Sequence, residues 1–382
     1  MIKDIIITLP LFVCLFWAVT LYMGFRNLNT SKKILALFMA VSTLLYTGHA
    51  IYFSMNYMAY TVLDPLYTFA NLSVFPIFLI YIRSLTKTGK IERRLYWLFI
   101  PALFFCLTSA MIYLQLPKPE LLAYIKENIY KESTQYTFSS LAVIQSYSHI
   151  ISRISFAVLL IPSVYLSWKY IIIYESKIKE FYSDTESKSL KWAAQILTAT
   201  VLSAIFAITL NILGKSYFIH DFTRIIVPSL LFSSLLYVIG YLGYNQSFAI
   251  KEYEIDLAKE KKTNNINNTR SKLHSDLINL LENEQLFRNP DLRITDISSR
   301  LNTNRTYISG IVNTEFNTTF CDLINHYRVE FSKKLLLDQN LYILHYVAEE
   351  SGFASVNSYM RAFKKSTGMT PGQFRKKAAE NN

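Results

Sequence analysis

Eight side chains in two short stretches have the types and spacing to read nucleic-acid base edges. They are Asn304, Arg305, Thr306 and Ser309 and, some fifty residues later, Ser355, Asn357, Ser358 and Arg361. Arginine donates bidentately to guanine and asparagine pairs with adenine, so Arg305, Asn357 and Arg361 are the strongest base-reading candidates. Arg361, Lys364, Lys365, Arg375, Lys376 and Lys377 form a cationic run with no acidic residue among them. Such a run suits contact with phosphate, a solvated surface being the alternative for any one of its members.

Other chemistries find less support. The three cysteines, Cys14, Cys106 and Cys321, have neither metal-ligand nor disulfide spacing, and the six histidines are scattered. No metal, cofactor or catalytic group is expected. The chain has no phosphate-cradling glycine loop, phospho-acceptor module or kinase core. Several polar residues do fall within long apolar runs, where they are costly and often functional. His49, Asn71, His149, Arg153 and Asn211 are therefore candidates for lining a signal-binding cavity, with snorkelling or an interhelical hydrogen bond as the plainer alternative.

The base-reading candidates must be presented at helix N-termini, and the flanking pattern supplies such helices. In ITDISSRLNTNRTYISGIV, Asp296 marks a helix start and Ile297, Leu301, Ile308, Ile311 and Val312 form one apolar face. Asn302 to Asn304 interrupt that face. Asparagine tolerates the left-handed conformation and caps a following helix, so the segment reads as helix, tight turn, helix. The arrangement recurs in YVAEESGFASVNSYMRAFKK, where Val347, Ala348 and Gly352 correspond to Ile297, Ser298 and Asn302. One residue is gained after the turn, which moves the repeat offset from 50 to 51. Between the motifs, CDLINHYRVEFSKKLLLDQ reads as a long helix with Leu323, Ile324, Tyr327, Phe331, Leu335 and Leu336 inward.

The run GFASVNSYMRAFKKSTGMTPGQFR resembles the second-motif signature of the AraC/XylS family of transcription regulators, and LINHYRVEFSKKLL resembles its connecting helix. The resemblance covers residues 285 to 377, with Ser298, Asn302 and Tyr359 as mild departures from the usual Ala, Gly and Phe. It implies double-stranded DNA as partner, with each second helix in a major groove. Two motifs in one chain would engage successive grooves about 34 to 36 Å apart.

The first 243 residues have a different character. A spanning helix needs about 20 mostly apolar residues. Seven runs qualify: 4 to 24, 33 to 54, 61 to 82, 95 to 116, 148 to 171, 192 to 213 and 223 to 243. Pro76, Pro101, Pro162 and Pro228 would bend them. This half holds 20 Lys/Arg against 11 Asp/Glu, the remainder 19 against 16, so most of the overall charge of +12 belongs to the apolar half. Loops after the first, third and fifth runs carry thirteen Lys/Arg, the alternate side six. The positive-inside rule then puts the N-terminus outside and the C-terminus in the cytoplasm. A cleaved signal peptide in place of the first span is the weaker reading, because the apolar stretch is too long and no small-residue cleavage site follows.

Three regions result: a seven-span candidate sensor at 1–243, a charged stalk and Asn-rich linker at 244–270, and a DNA-binding domain at 271–382. The expected fold is all-α, a polytopic transmembrane bundle followed by a helical domain with two helix-turn-helix motifs joined by a long helix. The loop at 117 to 146 contains a short helical pattern around LLAYIKENIY and reads as a ligand lid or a connector. The leading functional reading is a membrane-embedded, one-component transcription regulator of a bacterial inner membrane. Its partners would be duplex DNA, the bilayer and an unknown signal ligand, with a homodimer left open. A transporter or enzyme with an autoregulatory tail is the alternative, and a tether without sensing is a third.

Overall fold

The computed structural model describes residues 2–24, 29–87, 89–186, 188–190, 192–198, 200–202, 205, 223–245, 270–338 and 342–380. Among them the fold is all-helical, with one isolated antiparallel bridge between Tyr182 and Arg293. The chain divides into two compact units, one of residues 1–171 and 191–247, the other of residues 172–190 and 248–382.

Six helices among the described residues are long and apolar enough to cross a membrane, all in the first unit except for the end of the fifth from Ile172 on. They are α1 (Ile2–Met23), α2 (Thr30–Phe53), α3 (Tyr57–Thr86), a 3-10 segment Arg93–Phe99 leading into α4 (Ile100–Gln115), α6 (Ser140–Phe181) and α7 (Thr223–Asn245). These correspond to six of the seven runs read from the sequence. Of the run at 192 to 213, Trp192–Leu202 is an apolar helix and most of the rest lies outside the described residues.

Helix α1 packs on α2 and α7, α2 on α3, and α3 on α4. The α1–α7 contact depends on small groups, as helix pairs in lipid commonly do. A Cβ at Gly240 would come within 2.4 Å of the Trp17 ring. The Ser229 hydroxyl donates to the Ile6 carbonyl across the same pair. Several of these helices contain proline, including Pro76 in α3, Pro162 in α6 and Pro228 in α7.

Two parts of this unit go beyond their sequence reading. The connector from 117 to 139 is packed: α5 (Lys118–Tyr124) and a π-turn (Ile125–Ile129) share a buried cluster with Tyr52, Tyr60, Ile112 and Tyr113. Tyr130 stacks on Tyr52 with ring centroids 4.4 Å apart. Helix α6 begins eight residues before the run that predicted it and continues for 42 residues. At 1.5 Å per residue it is roughly 63 Å long, about twice a hydrocarbon core.

Lysine and arginine counted for topology also have local partners. The buried Arg83 donates through Nε to Glu92 at 2.8 Å and through its Nη atoms to the carbonyls of Lys87, Gly89 and Lys90. It thereby closes the 87–92 turn.

The second unit contains α8 (Arg270–Glu282), a 3-10 turn Leu286–Arg288, α9 (Ile294–Arg300), α10 (Arg305–Glu315), α11 (Phe320–Leu336), α12 (Leu344–Glu350), α13 (Val356–Thr367) and α14 (Pro371–Glu380). The linker expected at 244–270 lies outside the described residues apart from the end of α7 and Arg270.

Candidate nucleic-acid interface

The two helix-turn-helix motifs are built from matching hydrogen bonds. After α9, Leu301 N donates to Ile297 O, Asn302 N to Ser299 O and Thr303 N to Ser298 O, at 3.0, 3.2 and 2.8 Å. After α12, Ser351 N donates to Val347 O, Gly352 N to Glu349 O and Phe353 N to Ala348 O, at 3.1, 2.9 and 2.9 Å. Every donor and acceptor in the second set is fifty residues on from its counterpart. Closing such a turn requires a left-handed residue, and Asn302 (φ +47°) and Gly352 (φ +84°) supply it.

Past the turn the offset becomes 51. Asn304 and Ser355 are the N-caps of α10 and α13, each accepting from the backbone N–H three residues on. Ile308 and Tyr359, then Val312 and Phe363, occupy matching buried positions. The extra residue in the second turn is the exposed Ala354.

Gly352 also has a tertiary role. A Cβ there would lie 2.5 Å from the Phe287 carbonyl oxygen and 2.6 Å from Arg288 Cα. The second motif therefore approaches the backbone of the 3-10 turn that precedes the first. Arg288 reaches back to the Glu350 carbonyl and carboxylate.

Helix α11 buries a wider face than its apolar spacing suggests. Arg328, Val329 and Ser332 are buried with Leu323, Ile324 and Leu336, whereas Tyr327, Phe331 and Leu335 are half-buried. Arg328 is only 1% exposed. Its Nε donates to Phe287 O at 2.7 Å and its Nη2 to Asn289 O at 2.8 Å and Ser183 Oγ at 3.1 Å. Burial lowers its pKa to about 10. Backbone carbonyls thus take the place of the acidic partner that a buried arginine usually has.

The base-reading candidates are not equally available. Asn304 Oδ1 accepts from Tyr307 N at 3.2 Å. Ser355 and Ser358 form a reciprocal capping box, Ser358 N to Ser355 Oγ at 3.1 Å and Ser355 N to Ser358 Oγ at 3.3 Å. These three side chains are taken up in starting helices, a demand local to the backbone. Arg305 and Ser309 are half-buried, and Ser309 Oγ accepts from Asn313 Nδ2 at 3.4 Å. Thr306, Asn357 and Arg361 are exposed. One Nη2 of Arg361 lies 2.7 Å from Glu186 Oε1, and Ser355 Oγ donates to Glu186 Oε2 at 2.6 Å.

Within the cationic run, Lys364, Lys376 and Lys377 are exposed, and Lys365 pairs with Asp322 at 2.6 Å. Arg375 departs from the expected solvent-facing row. It is half-buried, and its Nη2 donates to the Tyr342 carbonyl at 2.5 Å, which ties α14 to the chain ahead of α12.

The polar residues of the apolar half separate into different surroundings. His149 is buried, with Nε2 2.9 Å from Asp64 Oδ2 and Nδ1 3.1 Å from Tyr124 Oη. Tyr113 donates to the same Asp64 oxygen at 2.7 Å, and Gln145 Nε2 lies 3.0 Å from the His149 ring. His49 stands between the rings of Tyr46 and Tyr67. Asn71 is half-buried, Arg153 is exposed, and Asn211 lies outside the described residues. Asp64, a carboxylate inside an apolar run, is the acceptor that gathers His149 and Tyr113.

Residues 297–377 match the helix-turn-helix domain family. The chain is 25% identical over 142 residues to the uncharacterized HTH-type transcriptional regulator YtdP of Bacillus subtilis, a stretch that is 35% of this chain and 18% of that protein. It is 31% identical over 90 residues to the Msm operon regulatory protein of Streptococcus mutans, covering 24% of this chain and 32% of that one. The chain thus spans less than a third of the length of either curated relative. Two solved structures are also similar. One is a protein of unknown function from Listeria innocua, with 26% identity over 27% of this chain and 93% of that one and a TM-score of 0.25. The other is the C-terminal domain of the two-component response regulator yesN from Fusobacterium nucleatum, with 28% identity over 28% of this chain and 96% of that one and a TM-score of 0.24.

Proposed function

We propose that this chain is a membrane-embedded one-component transcription regulator of the AraC/XylS type, binding duplex DNA through residues 271–382. The observation that carries the reading is the bond-for-bond repetition of the helix-turn-helix at offsets of 50 and 51, which prepares α10 and α13 as equivalent recognition helices. The match at residues 297–377 and the regulator names of both curated relatives support it. Thr306, Asn357 and Arg361 lead as base-reading residues, with Arg305, Ser309 and the capping residues Asn304, Ser355 and Ser358 close to the same groove. Lys364, Lys365, Lys376 and Lys377 face phosphate.

Selection of a random duplex library on the full chain in lipid nanodiscs tests this. The expected product is an asymmetric site with two half-elements one helical turn apart. Arg361→Ala should weaken binding to it by about 1 to 3 kcal/mol and relax the preference at one base pair. A library with no enriched sequence would sink the reading; uniform weakening across sequences would reassign Arg361 to phosphate.

The same proposal makes residues 1–243 an inner-membrane anchor and sensor, with the N-terminus outside and the C-terminal domain in the cytoplasm. The loop-charge asymmetry of thirteen to six supports the orientation. The buried Asp64–His149–Tyr113 cluster supports sensing, because a polar network at membrane depth is costly unless it is used. His149→Ala should shift the cell's transcript profile toward that of a strain lacking residues 1–243. A profile identical to the parent's, with normal membrane insertion, would leave the bundle as a tether.

A further inference from the structure

The loop after the fifth candidate span belongs to the same compact unit as the helix-turn-helix motifs. Ser183, 1% exposed, anchors it. Its N–H donates to Leu292 O at 3.1 Å, its hydroxyl accepts from Arg328 Nη2 at 3.1 Å, and its carbonyl accepts from Cys321 Sγ at 3.3 Å. Tyr182 beside it is buried and bridged to Arg293. Behind the anchor the loop is braced on α6: Glu175 accepts from Ser189 Oγ and Leu190 N at 2.9 and 2.5 Å, and Tyr174 donates to Lys188 O at 2.8 Å.

Three residues past the anchor, Glu186 places one carboxylate oxygen on the Arg361 guanidinium and the other on the Ser355 hydroxyl. An anionic group with two oxygens, set at the N-terminus of α13 between a guanidinium and a hydroxyl, satisfies the same donors that a nucleic acid would. Arg361 cannot fork onto a guanine edge while one of its nitrogens holds Glu186. The carboxylate would also face the phosphates at close range.

We propose that residues 182–186 are a built-in competitor for DNA, with Glu186 occupying the second recognition helix until the loop is drawn away. The inference rests on the DNA-reading role proposed above for Arg361. Binding then needs an open state, and apparent affinity falls in proportion to the fraction of chains in it. Because the loop is covalently continuous with α6, movement of the fifth span's inner end would reach Glu186 through one helix and a few loop residues.

The test compares the full chain with its Glu186→Gln and Glu180→Gln variants, each in lipid nanodiscs. The probe is a fluorescent duplex pool enriched from a random library on an equal mixture of the wild type and Glu186→Gln. Both variants remove one negative charge, and Glu180 lies on α6 with Ser176 as its partner, whereas Arg361 pairs with Glu186. Glu186→Gln should bind about two- to fivefold tighter than wild type, the range expected for releasing one partly exposed ion pair. Glu180→Gln should stay within about 1.5-fold of wild type, because this half-buried carboxylate pairs with Ser176 on its own helix and not with Arg361. Wild-type binding that Glu186→Gln leaves equal or weakens would overturn the competitor while leaving the DNA-reading role intact. Equal tightening by both variants would overturn it as a general charge effect. Absence of sequence-enriched binding in all three proteins would overturn the DNA-reading role and the competitor together.

Discussion

Replacing Arg328 by methionine isolates the hydrogen bonds of the guanidinium, since the unbranched stem and most of the volume are kept. The wild-type group supplies Phe287 O at 2.7 Å and Asn289 O at 2.8 Å, both on the segment between α8 and α9, and it stacks 5.6 Å from the Phe353 ring of the second motif. The Phe287 and Asn289 carbonyls and the Ser183 hydroxyl lose this donor in Arg328→Met, at about 1 to 3 kcal/mol for each acceptor left buried and unsatisfied. Against this, the variant no longer buries a charge, which recovers part of the loss. The net destabilisation should be about 2 to 4 kcal/mol. It should fall on the second unit alone, because every partner named belongs to it. Hydrogen exchange by mass spectrometry, on the full chain in nanodiscs, reads this directly. Amides of α11 and α12 that open with the unit should exchange about 30- to 1000-fold faster, at tenfold per 1.4 kcal/mol. Arg328→Lys, which keeps a shorter donor, should fall between the two. Exchange in Arg328→Met within about threefold of wild type would mean that the buried arginine contributes nothing net and that the account of the motif junction is wrong.

The paired turns make a contrasting pair of substitutions. Gly352→Ala meets both a left-handed φ and the Phe287 backbone and should cost about 2 to 4 kcal/mol, whereas Asn302→Gly should be neutral or stabilise by up to about 1 kcal/mol; equal unfolding midpoints for the two variants would refute the assignment. Cys321 is buried, and desolvation raises its thiol to about 11. Because the folded-state pKa is raised, the thiolate fraction grows about tenfold per pH unit up to that value, and alkylation between pH 7 and 9 should be far slower than in urea. Labelling at the rate of a free exposed thiol would show that the Ser183 loop does not cover it.

Much of the helix-turn-helix unit was legible in advance because its signals are local. The Asn302 and Gly352 turns, the capping residues after them and the apolar positions at three- and four-residue spacing all act within a dozen residues, so their types suffice to place the helices and the 50-to-51 shift. Six of the seven apolar runs were legible as long helices for a similar reason, as each is read one by one, although α6 outran its run at both ends. The inward face of α11 was misjudged at Arg328, since a charged residue on an amphipathic helix reads as solvated. What buries it is a set of carbonyls, and sequence gives no sign of where a carbonyl will point.

The contacts that unite distant segments belong to the tertiary structure. Asp64 and His149 are 85 residues apart, and Ser183 and Arg328 are 145 apart. Nothing in the spacing of either pair announces it. The chain therefore determined by itself which helices form, which of them are apolar enough to suit a membrane and which residues cap the second helix of each helix-turn-helix. Only the folded arrangement decided that Glu186, from the loop after the fifth candidate span, lies at the N-terminus of α13. Helical periodicity constrains one element at a time, whereas pairing across the fold depends on which surfaces remain to be covered once every element has formed.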